Sequence, residues 1–245
     1  MTRLDIHNSD VPVLCRSCEV RHKGMCGALA PEQLLALAGH TQTVRHKAGT
    51  ELLADDAEIT SYANVMRGVV KLSKMLEDGR QQLVGLQFAP DFLGRLYGSQ
   101  NALAAEAASD VEICRIPKAA LERLVKEYPE LEHKLMEQTL RELDEARDWM
   151  VTLGRKTAAE KVASFLMLIA THIDPVSRAQ AERRALTRTR FDLPLSRADI
   201  ADFLGLTIET VSRQMTQLRK DGVIEIVNAR SIVVPDLARL EARCG

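Results

Sequence analysis

The sequence predicts an α+β protein with three successive parts: a β jelly roll, a long helix and a C-terminal winged helix-turn-helix. Residues 41–116 contain short apolar or alternating runs between turn signals, which is typical of a jelly roll of short antiparallel strands. From Lys118 the apolar spacing becomes helical. Residues 196–234 combine two short helices about a glycine turn with a β-hairpin, which is typical of a winged helix-turn-helix.

Composition argues against several classes of protein. Of the 245 residues 46% are hydrophobic, which allows sizeable buried cores and disfavours a disordered chain. No run of about 18 apolar residues is present, so no membrane-spanning helix is expected. The N-terminal residues lack the basic-then-apolar order of a secretory signal. We therefore expect a cytoplasmic protein that does not enter the membrane.

The charge is divided unevenly along the chain. The net charge is −1, but residues 1–154 carry 18 Lys and Arg against 23 Asp and Glu, which gives −5. Residues 155–245 carry 15 against 11, which gives +4. A basic C-terminal part favours nucleic-acid binding by that part of the chain.

The jelly roll is expected within residues 29–117. Its strands are predicted by runs of strand-like composition, which Gly, Pro and Asp turns separate. A short helix with an early proline precedes them, over Pro31–Leu37. The predicted strands are Tyr62–Met66, Val69–Leu76, Gln82–Phe88 and Val111–Ile116.

The long helix is expected to run from Pro129 to about Leu153, and a second helix over Thr157–Ile173. Apolar residues of the long helix follow two interleaved seven-residue series, which is the 3-4 spacing of a coiled coil. The series are Met136, Leu143 and Met150, and Thr139, Ala146 and Leu153. Such a face can pack on its own domain, but its length and narrowness favour a parallel dimer contact.

The winged helix-turn-helix is expected within residues 156–245. Ser196 and Asp199 have the pattern of a capping box at the start of one short helix. Thr207 is the candidate N-cap of a second helix, and a glycine separates the two. The alternating residues 223–234 predict the β-hairpin wing.

The second of these helices has a polar face suited to DNA. Glu209, Ser212 and Arg213 stand at i, i+3 and i+4 in its first two turns. Arg213 can donate two hydrogen bonds to guanine, Glu209 can accept one from cytosine, and Ser212 can contact a base. The alternative is a surface ion pair between Glu209 and Arg213. We expect base contacts from these three residues, with Thr207 and Arg197 also at the DNA.

Three of the five cysteines stand close together near the N-terminus. They are Cys15, Cys18 and Cys26, in the pattern C-x2-C-x7-C, whereas Cys114 and Cys244 stand alone. An odd number of cysteines in a reducing compartment favours a metal or redox site over disulfides. Three thiolates need a fourth ligand, and two candidates for that ligand remain. His22 would complete a zinc site, and Cys114 would complete an iron–sulfur site.

Residues 196–222 resemble the DNA-binding module of the cAMP receptor protein/FNR superfamily of transcription regulators. The motif Glu209-x-x-Ser212-Arg213 resembles that of the FNR branch, and the likeness extends over nearly the whole chain. It implies a homodimer that binds double-stranded DNA at TTGAT-type inverted repeats and acts with RNA polymerase. It also implies a sensor of oxygen that controls anaerobic or microaerobic genes.

The same resemblance implies a 4Fe–4S cluster held by Cys15, Cys18, Cys26 and Cys114, with His22 not a ligand. The gap of seven residues before Cys26 departs from the five of some relatives, although another group of FNR-type regulators shares it. The alternative is a redox- or ligand-responsive regulator of the same superfamily that lacks a cluster, or that holds structural zinc at the N-terminal cysteines.

The resemblance also assigns a role to each part of the chain. Residues 1–28 would be a cysteine-rich cluster-binding segment and residues 29–117 the jelly-roll sensor domain. Residues 118–155 would be the dimerisation helix and residues 156–245 the DNA-binding domain. The cluster would order the cysteine segment against the sensor domain and so favour pairing of the dimerisation helix.

Two further functions are not expected. The cAMP-binding relatives carry a Gly-Glu-Leu turn and an Arg-Ser pair that holds the phosphate, but this chain has Gly94-Arg95-Leu96 and Asn101-Ala102. Because the arginine clamp is missing, we expect no binding of cyclic nucleotide. We expect no enzymatic activity either, since the sequence shows no nucleophile–base arrangement, G-x-G-x-x-G motif or phosphate-cradling loop.

Overall fold

The computed structural model describes Cys15, Cys18, Arg21 and residues 23–173 and 188–245. His22, the candidate zinc ligand, lies outside the described residues. The chain divides into two compact units, Met1–Leu72 with Leu86–Leu143 and Ser73–Gly85 with Asp144–Gly245. Within the described residues no helix is both long enough and apolar enough to cross a membrane.

Eight strands form the expected jelly roll. They are β1 Gln42–His46, β2 Glu51–Leu53, β3 Ser61–Arg67, β4 Val69–Met75, β5 Gln81–Phe88, β6 Phe92–Leu93, β7 Ala104–Ala107 and β8 Val111–Pro117. They make two four-stranded sheets, with the orders β1-β8-β3-β6 and β2-β7-β4-β5. Before them lie a 3₁₀ turn, Met25–Ala28, and helix α1, Pro31–Ala38.

The four predicted strands are present as β3, β4, β5 and β8, with ends that differ by at most one residue. The other four strands were not predicted. They are two to five residues long and are polar, alanine-rich or very short, so they carry little periodic apolar signal. Pairing with longer neighbours places them, as β8 does for β1.

Residues 118–155, assigned from the sequence to the dimerisation helix, form two helices, α2 (Lys118–Glu127) and α3 (Pro129–Arg155), and α3 begins at the predicted Pro129. The break falls at Tyr128, whose φ of −124° and ψ of 95° are extended. A residue before proline is driven out of the helical region by a clash with the proline ring, whereas proline itself suits the first position of a helix. The long helix is therefore α3 alone, with 27 residues.

The sheet β1-β8-β3-β6 has a separate core on each face. On one face Val65 and Ile113 pack into the jelly-roll interior. On the other face Tyr62 and Ile116 pack against the helices and the 3₁₀ turn. This second core, called the turn–helix core below, also contains Met25, Leu29, Leu34, Leu37, Ile59, Phe92, Leu121, Leu124, Val125, Leu131 and Leu135. The 3₁₀ turn Met25–Ala28, called the cysteine turn below because it contains Cys26, and the start of α3 are thus buried together.

The second unit contains the winged helix-turn-helix. Its helices are α4 Ala158–His172, α5 Arg197–Leu204, α6 Ile208–Lys220 and α7 Leu237–Glu241. Its strands, β9 Thr189–Asp192, β10 Glu225–Ile226 and β11 Ser231–Val234, form one sheet in the order β10-β11-β9. Strand β9 was not predicted, because its four residues are mostly polar and its place depends on pairing with β11.

Side-chain caps hold the two helices of the motif in place. The Ser196 Oγ accepts a hydrogen bond from the Asp199 N–H at 3.1 Å, and the Asp199 carboxylate accepts one from the Ser196 N–H at 3.1 Å. Gly205 ends α5 in the left-handed conformation, with φ of 61°, which glycine adopts without strain. The rings of Phe203 and Trp149 lie 4.7 Å apart between centroids, so α5 packs on the end of α3.

Replacing Ser196 with alanine removes the Oγ, which accepts from the Asp199 N–H at 3.1 Å and donates to the Asp199 carboxylate at 2.6 Å. We expect the free energy of unfolding of this unit to fall by about 1 kcal/mol, the usual cost of a lost N-cap. Urea unfolding followed by fluorescence of Trp149, the one tryptophan of the chain, measures it. The exposed Ser212→Ala serves as control and should stay within about 0.5 kcal/mol of the wild type. Equal losses in both variants would contradict the capping role.

Candidate DNA interface and cysteine site

Helix α6 has one buried and one exposed face. Val211, Met215 and Leu218 are buried in the unit. The Thr207 Oγ1 accepts a hydrogen bond from the Thr210 N–H at 3.2 Å and so caps the helix at its start. The opposite face therefore points to solvent from the first turn onward.

Glu209, Ser212 and Arg213 all lie on that exposed face. Hydrogen bonds from its own backbone N–H and from the Thr207 side chain lower the pKa of Glu209, so its carboxylate is ionised and can accept from a base amino group. In the part of the chain that the structure describes, Arg213 forms no ion pair with Glu209. That arrangement weighs against a surface ion pair and leaves both groups available to DNA.

The polar and basic residues around α6 and the wing, which could contact DNA outside the base-reading face, differ in exposure. Thr207, Arg219, Lys220 and Arg230 are exposed near the recognition face or the wing. Arg197 is half-buried instead, its Nη1 atom is buried with no hydrogen-bond partner among the described residues, and burial lowers the pKa of its guanidinium. Arg197 thus offers less of its charge to a phosphate than a freely exposed arginine would.

Four cysteine thiols surround one small cavity in the first unit. Cys15, Cys18, Cys26 and Cys114 line it, with Arg21, Asn64 and Met66 among the other residues. Cys114 is supplied by β8, and Cys26 by the 3₁₀ turn that Met25 anchors in the turn–helix core. The structure therefore places the three N-terminal cysteines around the same cavity as Cys114, the one cysteine of the jelly roll. Cys244 lies in the other unit.

Burial dominates the acidity of these thiols. Desolvation raises the pKa of Cys15 and Cys26, and raises that of Cys114 to about 11 although a hydrogen bond from Thr41 opposes it. The neighbouring thiols add to the rise, Cys114 acting on Cys26 and Cys18 on Cys15. Buried thiols that raise one another's pKa ionise together only when a metal cation compensates their charge.

The donor set fits a metal group bound by thiolates. Such soft ligands select zinc, Cu(I) and iron–sulfur clusters over hard cations. Among the described residues, no three side chains of His, Cys, Asp or Glu are close enough to hold a single metal ion. The four sulfurs surround a cavity rather than one point, and four thiolates are the usual ligands of a 4Fe–4S cluster. These residues therefore fit such a cluster.

Sequence reasoning missed two side chains of the cysteine site. Arg21 is buried at 7% exposure and its cation partly offsets the raised pKa of Cys15 and Cys26. The position of this basic residue between Cys18 and Cys26 is the sequence signal that could have indicated its role at the site. Asn64 lies within β3 and carries no motif, so only the pairing of β3 with β8 reveals that it faces the cavity.

The apolar series of α3 faces solvent over most of its length. Met136, Thr139, Leu143, Ala146 and Met150 are exposed, Met150 by 72%, and Leu153 is half-buried. Leu140, exposed by 54%, extends the series and was missed, although its i+4 spacing from Met136 indicates it. A row of exposed apolar side chains on one helix marks an interaction surface.

Asn101, expected from the sequence to replace the phosphate clamp of cAMP-binding relatives, has a role in the fold. It is buried, its Nδ2 donates to the Ala54 carbonyl at 3.1 Å, and its backbone N–H donates to the Ala57 carbonyl at 2.9 Å. Its amide is thus used within the jelly roll and carries no charge for a phosphate.

Comparisons with known proteins agree with both units. Residues 160–243 match the family described as a Crp-like helix-turn-helix domain, and residues 43–128 match the cyclic nucleotide-binding domain. A probable transcriptional activator of Rhizobium leguminosarum bv. viciae is 55% identical over 98% of this chain and 97% of its own. The activator FnrL of Cereibacter sphaeroides is 38% identical over 96% of this chain and 95% of its own.

The chain belongs to the Crp/FNR family of transcription regulators. The solved structure of FixK2 from Bradyrhizobium japonicum, 33% identical, covers 84% of this chain and 98% of its own with a TM-score of 0.70. In this Crp/FNR protein the winged helix-turn-helix is the DNA-binding module, and α6 is the second helix of that motif. The expectation of a regulator rather than an enzyme is confirmed by the family.

Replacing Arg213 with alanine removes the donor pair expected at guanine. Binding to a TTGAT inverted repeat should weaken by about 1–3 kcal/mol per contacted guanine, and selectivity at that base should relax. Titration of labelled duplexes with the guanine kept or exchanged measures both effects. Arg219→Ala, at the far end of α6, should instead weaken binding to all duplexes equally. An equal loss on specific and random DNA for Arg213→Ala would argue against base contact.

Proposed function

We propose that this protein is an oxygen-responsive transcriptional activator that binds a 4Fe–4S cluster through Cys15, Cys18, Cys26 and Cys114. The observation that carries the proposal is the meeting of these four thiols at one cavity. Relatives named as transcriptional activators support the activating role. The exposed face of α3 supports a homodimer, and RNA polymerase is the expected protein partner. No cyclic nucleotide is needed.

When bound, a 4Fe–4S cluster supplies iron–sulfur bonds that oxygen can break. Cys26 belongs to the turn whose Met25 is fully buried in the turn–helix core. Leu131 and Leu135 of α3 pack into the same core at 0% and 5% exposure. Ordering of the cysteine turn therefore stabilises the packing of the first turns of α3, and disorder there weakens it.

The exposed series of α3 begins directly after this buried part, at Met136. Pairing of two such helices buries the series in a parallel contact of the coiled-coil kind. Asp144, Glu145 and Asp148 are exposed along the same helix, and like charges across a dimer oppose its formation. A marginal contact of this kind responds to a small change in the packing of its first turns.

A dimer supplies two recognition helices for an inverted repeat. Two half-sites read in successive major grooves lie about 34 Å apart, one helical turn of DNA. Glu209, Ser212 and Arg213 of each copy would then contact one TTGAT half-site. Affinity for the full site depends on dimerisation, because a single copy meets only half of the contacts.

Anaerobic reconstitution with iron and sulfide tests the cluster. We expect about four iron and four sulfide per chain, the content of a 4Fe–4S cluster, with iron–sulfur absorbance that air removes. Cys114→Ser should lose both, because one of the four ligands is gone. The matched control is Cys244→Ser, in the other unit, which should load like the wild type. Stoichiometric zinc with no sulfide, or full loading of Cys114→Ser, would refute the proposed ligand set.

The dimer contact is tested by placing a charge in the apolar series. Leu143→Glu places a carboxylate where the proposed dimer would bury a leucine of each copy. Dimerisation should therefore weaken at least tenfold, since burying one leucine contributes about 1.5–3 kcal/mol. Sedimentation equilibrium measures the dissociation constant. Leu35→Glu on α1, also an exposed leucine at 58%, is the control and should dimerise normally. Unchanged dimerisation of Leu143→Glu would place the contact elsewhere.

A further inference from the structure

Asn64 is a buried amide at the cysteine cavity. It lies on β3 with 6% exposure and stands directly opposite Cys114 of β8 in the antiparallel register. Directly opposite residues of neighbouring strands project from the same face of a sheet. The Asn64 Nδ2 donates to the Cys26 Sγ at 3.9 Å. The amide thus contacts the Cys26 sulfur and lies on the same face of the sheet as Cys114.

This amide is costly to the fold. The Oδ1 atom of Asn64 is buried with no hydrogen-bond partner among the described residues. A buried polar atom without a partner costs about 1–3 kcal/mol. A neutral thiol returns little of that cost, because its sulfur is a weak acceptor. Met25 and Met66 line the same cavity and are apolar, so stability alone would favour an apolar residue here.

The amide becomes favourable when the sulfur carries negative charge. Hydrogen bonds to an ionised acceptor are roughly twice as strong as those between neutral groups. Metal binding deprotonates a cysteine ligand, and the partners around such ligands orient them and tune the metal. A neutral amide can donate to a thiolate without adding a second charge to the cavity.

We propose that Asn64 is a positioning residue for the four-cysteine site, donating to the Cys26 sulfur and, from its place opposite Cys114, holding these two ligands in register. The inference rests on the proposed cluster. Asn64 then helps to set the lifetime of the cluster and its reduction potential.

The test compares reconstituted wild type with Asn64→Leu, which keeps the approximate size of the side chain and removes its donor. The variant should lose its cluster in air about tenfold faster, the low end of the effect of removing such a partner. Its reduction potential should fall, because the amide stabilises the more negative state. Absorbance decay and a redox titration measure these changes. Asn64→Asp, which replaces the donor by an acceptor, should lose the cluster at least as fast.

Gln87→Leu is the matched control, because Gln87 is another buried amide whose Oε1 meets no hydrogen-bond partner in the described part of the chain and whose Nε2 donates to the Phe92 carbonyl. It should keep the cluster lifetime and potential of the wild type. The apoprotein of Asn64→Leu should unfold at the same or a higher urea concentration than the wild type, which separates positioning from folding.

Three results would overturn the inference. They are an unchanged lifetime and potential in Asn64→Leu, equal changes in Gln87→Leu, and an apoprotein of Asn64→Leu that is clearly destabilised. A wild type that takes up no iron and sulfide would instead refute the proposed function itself, and the inference with it.

Discussion

The structure depends on the burial of the cysteine turn and the start of the long helix in one core. Met25 and Leu29 enter the turn–helix core from the N-terminal side, and Leu131 and Leu135 enter it from α3. Each such side chain contributes about 1.5–3 kcal/mol when it leaves water. The positions of Cys26 and of the first turns of α3 are therefore coupled by packing, so that a shift of one segment displaces the other.

The sheet beneath this core separates two tasks. One face fills the jelly roll and keeps the strands in register, whereas the other presents Asn64 and Cys114 beside the cysteine turn. The DNA-binding unit relies on local chemistry instead. Capping side chains, a left-handed glycine and three buried residues of α6 leave Glu209, Ser212 and Arg213 exposed. Its recognition face is thus built from residues close together in sequence.

That difference explains what the sequence could predict. Strands with strong alternation, the capping box at Ser196 and the shared exposed face of Glu209, Ser212 and Arg213 all depend on neighbours within a few residues, and the structure agrees with these predictions. Strands β1, β7 and β9 depend on pairing partners far along the chain, so local pattern missed them. The start of the long helix at Pro129 was predicted, because proline marks a helix beginning locally, whereas the separate helix Lys118–Glu127 before the break at Tyr128 was not. Asn64 is recognised as part of the cysteine site only from its register with Cys114, which the sequence does not show.

The central claim is that loading of the cysteine site is coupled to dimerisation through the turn–helix core. The most direct measurement is the dimer dissociation constant of the wild-type protein, determined anaerobically by sedimentation equilibrium before and after reconstitution. Coupling energies between sites are typically about 1–3 kcal/mol, so loading should tighten the dimer about 5- to 150-fold. The gain should shrink in Met25→Ala, which loosens the core. Equal dissociation constants for the loaded and unloaded wild type would contradict the account.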